Sequence, residues 1–335
     1  MNTEFHYWIT GIIADHAGFD RDDTRIIAYS SQFVDDNDDD ISVFNDEFDV
    51  TPTYSNHISQ TMNFLLPRKD LMEIYPIFHF IPGDQGNAAK RKDGKIHPLN
   101  TTPDSSYAKQ IIQAALDNAA AKYKNNDKSG LYRLGIATHS FVDTWAHQNF
   151  TGSYDAFNDM GNAITPDVGH ADALHHPDWV GHRWNDDRLV DPNISNNTRL
   201  IAAARRIYNL FSGFQVSIGN GGTDRWNELE SFLLGTFGTT YSGDTEKGVE
   251  ERTEKYMARV PWLSDYDDGD WQTAALEVKT VRNGGGDDYV EKYFWKDGIN
   301  YANTDWFKFQ EAVKEQIVSA KGILQHVFAI AGLNA

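Results

Sequence analysis

The stretch Leu134-Gly-Ile-Ala-Thr-His139-Ser-Phe-Val-Asp143-Thr-Trp-Ala-His147-Gln-Asn-Phe150 narrows the folds open to this chain more than any other. Its apolar residues, Leu134, Ile136, Phe141, Val142 and Trp145, read as a helix buried in a core. Three polar side chains interrupt it at steps of four. Positions four and eight residues on lie about 40° and 80° round a helix from the first, so His139, Asp143 and His147 share one stripe. Burying three such groups is costly unless something compensates, and metal ligation does. The competing reading, ordinary histidines beside a solvated carboxylate, leaves that cost unmet. Eight residues rise roughly 12 Å, whereas an ion sits about 2 Å from each ligand atom. His139 and His147 are therefore expected to hold different ions, with Asp143 between two neighbouring metals as a bridge.

Any such centre must be built from imidazole and carboxylate, because the 335 residues include 12 His and no Cys. That excludes disulfide frameworks, thiolate zinc fingers, iron–sulfur clusters and cysteine nucleophiles. At 40 % hydrophobic the chain has ample core formers, so a globular protein is expected. A net charge of −19 argues against double-stranded DNA binding, which needs a basic surface that displaces counterions. It leaves open a nuclease that carries its own metal cations. No apolar stretch nears the roughly 20 residues of a transmembrane segment. The start, Met1-Asn-Thr-Glu-Phe-His-Tyr-Trp8, has neither a basic n-region nor a long apolar h-region, so no signal peptide is expected. The expected location is the cytoplasm, or outside the cell by a signal-independent route.

Helical patterning covers Ile9 to Phe33 with a break near Gly18, Tyr107 to Tyr123, Leu131 to Phe150 and Thr198 to Phe214. A fifth, amphipathic helix runs from Trp306 to Ile330, with Phe309, Val313, Ile317, Ala320, Leu324, Val327 and Phe328 at three- and four-residue steps. Strand signals are few. The fold class is all-α: one multi-helix domain over residues 1–335, with an irregular elaboration from about Gly235 to Asn303 before the last helix. Long loops at Pro82 to Asp104 and Gly152 to Asn197 have the length of functional loops. The glycine runs at 219–222 and 284–286 lack phosphate-loop spacing, and the acids from Asp35 to Asp46 lack the turn glycine of a calcium loop, Asp40 standing there instead. No Gly-x-Ser-x-Gly elbow is present.

The helix at Leu134 to Phe150 resembles the metal-binding helix of the zinc-dependent phospholipase C family and of the related single-strand-specific nucleases. Four more segments follow that pattern in order: Phe5-His6-Tyr7-Trp8, Ala28 to Asp35-Asp36, Ile77-Phe-His79-Phe-Ile-Pro, and Val168-Gly-His170. The resemblance covers roughly the first 180 residues. It implies an all-helical domain with two or three Zn²⁺ ions. One ion would be held by Asp35, His79, His139 and Asp143, and a second by His147 and His170 with a carboxylate. A third would take His6, the bridging Asp143 and the amine and carbonyl of Met1. The chain departs from the family in two spacings. Only Thr144, Trp145 and Ala146 separate Asp143 from His147, where the family has five residues, and Leu174 stands where it has an acid, so Asp178 or Asp172 must substitute. The third set also requires a free amine at Met1.

Other histidines are weighed against a structural reading. His170, His175, His176 and His182 share one loop, where His176 is a further ligand candidate, although loop histidines are most often solvated. Asp15-His16 reads as a helix-face pair, and His57, His97 and His326 as structural.

The expected function is phosphodiester hydrolysis, first of all as a phospholipase C acting on phospholipid head groups, with Asp35 and Asp143 as catalytic carboxylates. Asp35 would take the proton of an activated water or orient it, with Asp36 as fallback. Aromatic residues near the motifs, such as Phe80 and Trp179, could line a pocket or simply fill the core. The expected partner is a phospholipid or other phosphodiester, with transient membrane-surface contact. A single-strand nuclease that stacks bases on aromatic rings, or a non-enzymatic helical protein stabilised by metal, are the alternatives.

Overall fold

The computed structural model describes residues 1–61, 63, 72–162, 164–282 and 289–332. The fold is largely helical, with small sheets added. A π-helical turn, Glu4–Ile9, runs directly into α1, Thr10–Ala17. Gly18 ends α1 with φ of 99°, a left-handed conformation that suits glycine. The side chain of Asp20 then caps α2, Arg21–Asp36, by accepting from Asp23 N at 2.8 Å. The break expected near Gly18 thus has a C-cap and an N-cap two residues apart. Ser105 caps α3, Ser106–Tyr123, through Ala108 N at 3.1 Å.

Helix α4, Gly130–Ala146, is the axis of the molecule, and every one of its residues is buried. A helix with no solvent face needs neighbours on all sides. They are α2, α3, α5 (Asn196–Ser217) and the C-terminal α9 (Asp305–Ile330). The approach of α2 depends on Gly135: a Cβ there would stand 2.5 Å from Ser30 Cβ and 2.6 Å from the Ile27 carbonyl. This contact lays the end of α2, which carries Asp35, beside His139. The helix stops at Ala146, short of the expected Phe150, and His147 occupies its C-cap position. Among the described residues, no helix is long and apolar enough to cross a membrane.

The segment from 235 to 303 is more ordered than its sequence suggests. After α6, Trp226–Phe237, it contains α7, Val249–Arg259, and the short α8, Asp270–Ala275. Strands β5 (Leu276–Arg282) and β6 (Tyr289–Trp295) form an antiparallel pair with Leu276 opposite Trp295 and Arg282 opposite Tyr289. The sheet is completed by β1 (Ser42–Phe44), parallel to β6, and β2 (Tyr54–Ser55), giving the order β2-β1-β6-β5. Its strands went unrecognised because β5 buries only Leu276 and Val281, five positions apart, so alternation along it is weak. The glycines at 284–286 lie outside the described residues.

A continuous hydrophobic cluster includes residues from Met1 to Phe328. A smaller one, with Tyr75, Phe80, Phe150, Val168 and Trp184 among its members, packs under the long loops after α4. That satellite core, with the 183–185 and 193–195 strand pair β3–β4, gives these loops a rigid base.

Candidate metal centre

Five parts of the chain meet at the C-terminal half of α4. The first π-helical turn supplies His6, α2 supplies Asp35, and a second π-helical turn, Tyr75–His79, ends on His79. Helix α4 supplies His139 and Asp143, and the loops beyond it His147, His170 and Asp178. π-Helical turns are rare and concentrate at functional sites; here two of them place histidines.

Asp143 is fully buried at the centre. Its Oδ1 lies 2.5 Å from the nitrogen of Met1 and 3.1 Å from His6 Nε2. On its other side, Oδ2 lies 3.2 Å from His139 Nε2 and 3.5 Å from both His79 Nδ1 and His147 Nδ1. His79 Nδ1 and His139 Nε2 are 3.2 Å apart, and Asp35 Oδ1 stands 3.6–3.7 Å from each. Farther along, His147 Nε2 lies 3.3 Å from Asp178 Oδ1, and His170 Nε2 lies 3.5 Å from Asp178 Oδ2. Tetrahedral ligands at about 2.0–2.1 Å from an ion are roughly 3.3–3.4 Å from one another, so these spacings suit a shared ion.

Three donor groups result: His6, Asp35 and His139; His79, His139 and Asp143; and His147, His170 and Asp178. His139 and His147 fall in different groups, with Asp143 between them. All nine residues singled out by the sequence, Met1 included, lie in this one assembly. Of the two acids considered for the last group, Asp178 faces the histidines. Asp172 instead accepts from Met160 N and Thr165 Oγ1 and belongs with Asp159 and Asp167 to a separate, partly exposed carboxylate cluster that the sequence reading missed. Asp36 accepts from Gln32 Nε2 at 2.9 Å and from Tyr266 Oη at 2.7 Å and joins none of the groups. His176 stacks on His182, their nitrogens 2.9 Å apart, and neither reaches the assembly. His16 donates from Nδ1 to the Ile12 carbonyl within its own helix.

The imidazoles are held in one tautomer by the main chain. His79 Nε2 donates to the Ser59 carbonyl at 2.9 Å, His139 Nδ1 to Ser31 at 2.7 Å, His147 Nδ1 to His79 at 2.7 Å and His170 Nδ1 to Leu174 at 2.7 Å. A carbonyl can only accept, so each ring, when neutral, has its other nitrogen as a lone pair directed into the assembly; burial opposes protonation of His139, but Asp35 and Asp143 raise it above the ordinary imidazole value. This is the outer-shell arrangement of metal-ligating histidines. Leu174 presents its carbonyl from φ of 52° and ψ of −133°, a positive-φ conformation unfavourable for leucine by about 1–3 kcal/mol. Both ring nitrogens of His6, and Oδ2 of Asp143, are buried without a hydrogen bond. Orphaned buried polar atoms are costly, and a cation shared among them removes the cost. On donor chemistry, spacing and these orphaned atoms, the residues fit divalent ions.

A family model described as a family of unknown function (DUF6765) matches residues 1–322. The chain belongs to the DUF6765 family. No curated protein and no solved structure matches it.

Protonation in this DUF6765 chain favours ligation. Burial holds His6 down at about 3 and His170 at about 4, and lowers His79 as well, so these rings are neutral near pH 7. Burial opposes ionisation of Asp143 and Asp178, but His147 and the Met1 amine beside the first, and His170 beside the second, hold both well below the usual carboxylate range. Beside the ligands opens a cavity of about 690 Å³. Asp35, His79, His147, His170 and Asp178 form one wall, and Tyr75, Phe80, Val168, Leu174 and Trp179 contribute an apolar one. Among the described residues, no Lys or Arg lines it. Phe80 stacks on His147 at 4.6 Å, and Gly169 makes room for Phe80: a Cβ there would stand 2.5 Å from its ring.

Proposed function

We propose that this chain is a metal-dependent phosphodiester hydrolase with a centre of two or three divalent ions, zinc being the one its imidazole and carboxylate donors suit best. The observation that carries the reading is the set of four histidines whose outer nitrogens are tied to carbonyls while their inner ones converge on the buried carboxylates of Asp143 and Asp178. The ions would be held by Asp35, His79, His139 and Asp143, by His147, His170 and Asp178, and by His6 with Asp143 and the Met1 nitrogen.

Bound ions of this kind polarise a phosphoryl oxygen and lower the pKa of water. The protein supplies the rest. Asp35, its side chain 24 % exposed on the cavity wall, is placed to accept a proton and orient the attacking water. Asp143, with no exposure, sets the spacing of the donor groups around it. Among the described residues the cavity has no Lys or Arg, so of these it is the centre itself that would meet substrate charge. Trp179, Phe80, Tyr75 and Val168 offer the non-reacting part of a substrate an apolar surface and keep water from the reacting atoms. This wall supports a phospholipid substrate, reached through transient contact with a membrane surface, over a nucleic acid, whose backbone a basic groove would track.

The test is turnover of a bis-aryl phosphodiester, phosphatidylcholine and single-stranded DNA by the metal-loaded protein, beside its Asp143→Asn variant. Hydrolysis of the diester and the lipid, lost in the variant, is expected. Fewer than two equivalents of bound ion, or equal turnover by the variant, overturns the reading.

A further inference from the structure

Glu4 lies in the same π-helical turn as His6 and is 3 % exposed. Its carboxylate receives a bidentate pair from Arg252 of α7, Nε to Oε2 and Nη2 to Oε1, both at 2.6 Å. Arg252, 5 % exposed, places its remaining Nη1 on the Lys247 carbonyl at 2.6 Å. Gly248, with φ of 72°, lets the chain enter α7 beside that guanidinium, since a Cβ there would meet Nη1 at 3.0 Å. A second tie comes from the same segment: Asn2 Nδ2 donates to Glu246 Oε1 at 2.8 Å. Residues 246–252 therefore grip the start of the chain at two points, one on each side of Thr3.

Packing already holds the turn, since all six of its residues are buried and Tyr7 Oη donates to the Ser264 carbonyl at 2.7 Å; the grip adds polar ties at Asn2 and Glu4, on the residues that flank Thr3. A π-helical turn of six residues has no intrinsic preference over α-helix, yet it must leave the His6 ring stacked on His139 at 3.7 Å and both His6 nitrogens without hydrogen bonds. The other four histidines are oriented by carbonyls; His6 is not. We propose that the Glu4–Arg252 ion pair, with the Asn2–Glu246 bond, is a clamp that positions His6 and the nitrogen of Met1 to hold one ion of the centre, so that the segment after α6 completes a site whose other donors come from the first 180 residues. Arg252, Glu4, Asn2 and Glu246 belong to none of the donor groups and are positioning residues, Asn2 and Glu246 at the edge of the cavity. The inference rests on the metal-centre reading given above.

The test measures bound zinc per chain by mass spectrometry after loading and gel filtration. Glu4→Gln with Arg252→Met removes both charges together, which avoids stranding one of them in the interior. The double variant is expected to lose one ion and keep those at His147, His170 and Asp178, matching the loss in His6→Ala. Combined with His6→Ala it should lose no more, an equivalence that general loosening of the fold does not produce. Asn2→Ala, the milder change, should keep the fold and weaken the same ion about 10- to 100-fold in chelator competition, the usual effect of removing outer-shell support. A double variant that melts cooperatively and keeps every ion overturns the clamp alone, as does Asn2→Ala with unchanged affinity if the double variant does not fold. A parent chain that binds no zinc overturns the metal centre and the clamp with it.

Discussion

At the scale of single residues, Asp143 has the most to lose by substitution. It faces the Met1 nitrogen and His6 on one oxygen and three histidines on the other. Asp143→Asn keeps the shape and removes the charge. Activity is expected to fall on the order of 10²–10³-fold, the scale of deleting one preorganised electrostatic group, with loss of zinc by mass spectrometry in parallel. Glu246 carries a pH prediction. Burial, reinforced by Glu4, raises its pKa from an ordinary 4.5 to about 7. A carboxyl raised on folding contributes stability fully present below about pH 4.5 and lost as pH rises through about 7. Glu246→Gln should therefore melt less pH-sensitively than the parent between pH 5 and 8. Glu246 is partly solvated, so a gap of about 1–2 °C is expected, and parallel melting curves count against the assignment. His139, Asp143 and His147 were legible because costly groups stood in apolar surroundings; His6, Asp35, His79 and His170 were legible only through the order of segments shared with the resembled family. Asp178 was not separable from Asp172, since the choice depends on how the 170–178 loop turns at Leu174.

At the scale of elements, the site depends on how closely α2 and α4 approach. Gly135→Ala would drive a methyl into Ser30 and the Ile27 carbonyl. The cost expected is about 1–3 kcal/mol of overpacking, together with weaker zinc binding, because Asp35 and His139 ride on the two helices being separated. A melting temperature and zinc affinity both unchanged would mean that the interface relaxes without disturbing the donors. Helices α3, α4, α5 and α9 were readable because their apolar periods persist over many turns. The two π-helical turns were not, since five or six residues fix no period and an apolar run such as Ile77-Phe78 fits several conformations. The strand pair after α8 escaped for a related reason: its faces are too evenly half-buried to alternate clearly.

At the scale of the whole molecule, the donors come from parts of the chain as far apart as His6 and Asp178, and on the proposed reading bound ions would tie them together. Chelation should lower the melting temperature and zinc should restore it, with a stabilisation of about 4 kcal/mol when free zinc is near a thousand times Kd. Calorimetry of the stripped and reloaded protein checks this; identical melts, with stripping verified by mass spectrometry, would show that the ions add no cohesion. The apolar pattern made a helical core legible, but no single stretch of sequence revealed that α7 reaches back to the first turn through Arg252. The carbonyls of Ser31, Ser59, His79 and Leu174 that orient four imidazoles have a further consequence for how the protein can vary. Side chains at Ser31, Ser59 and Leu174 are free to change by point mutation without deleting the acceptor, because every amino acid brings the same carbonyl. Ring orientation is thus buffered against ordinary sequence drift, and only changes that shift the backbone itself, such as insertions or deletions in the 170–178 turn, can reach it.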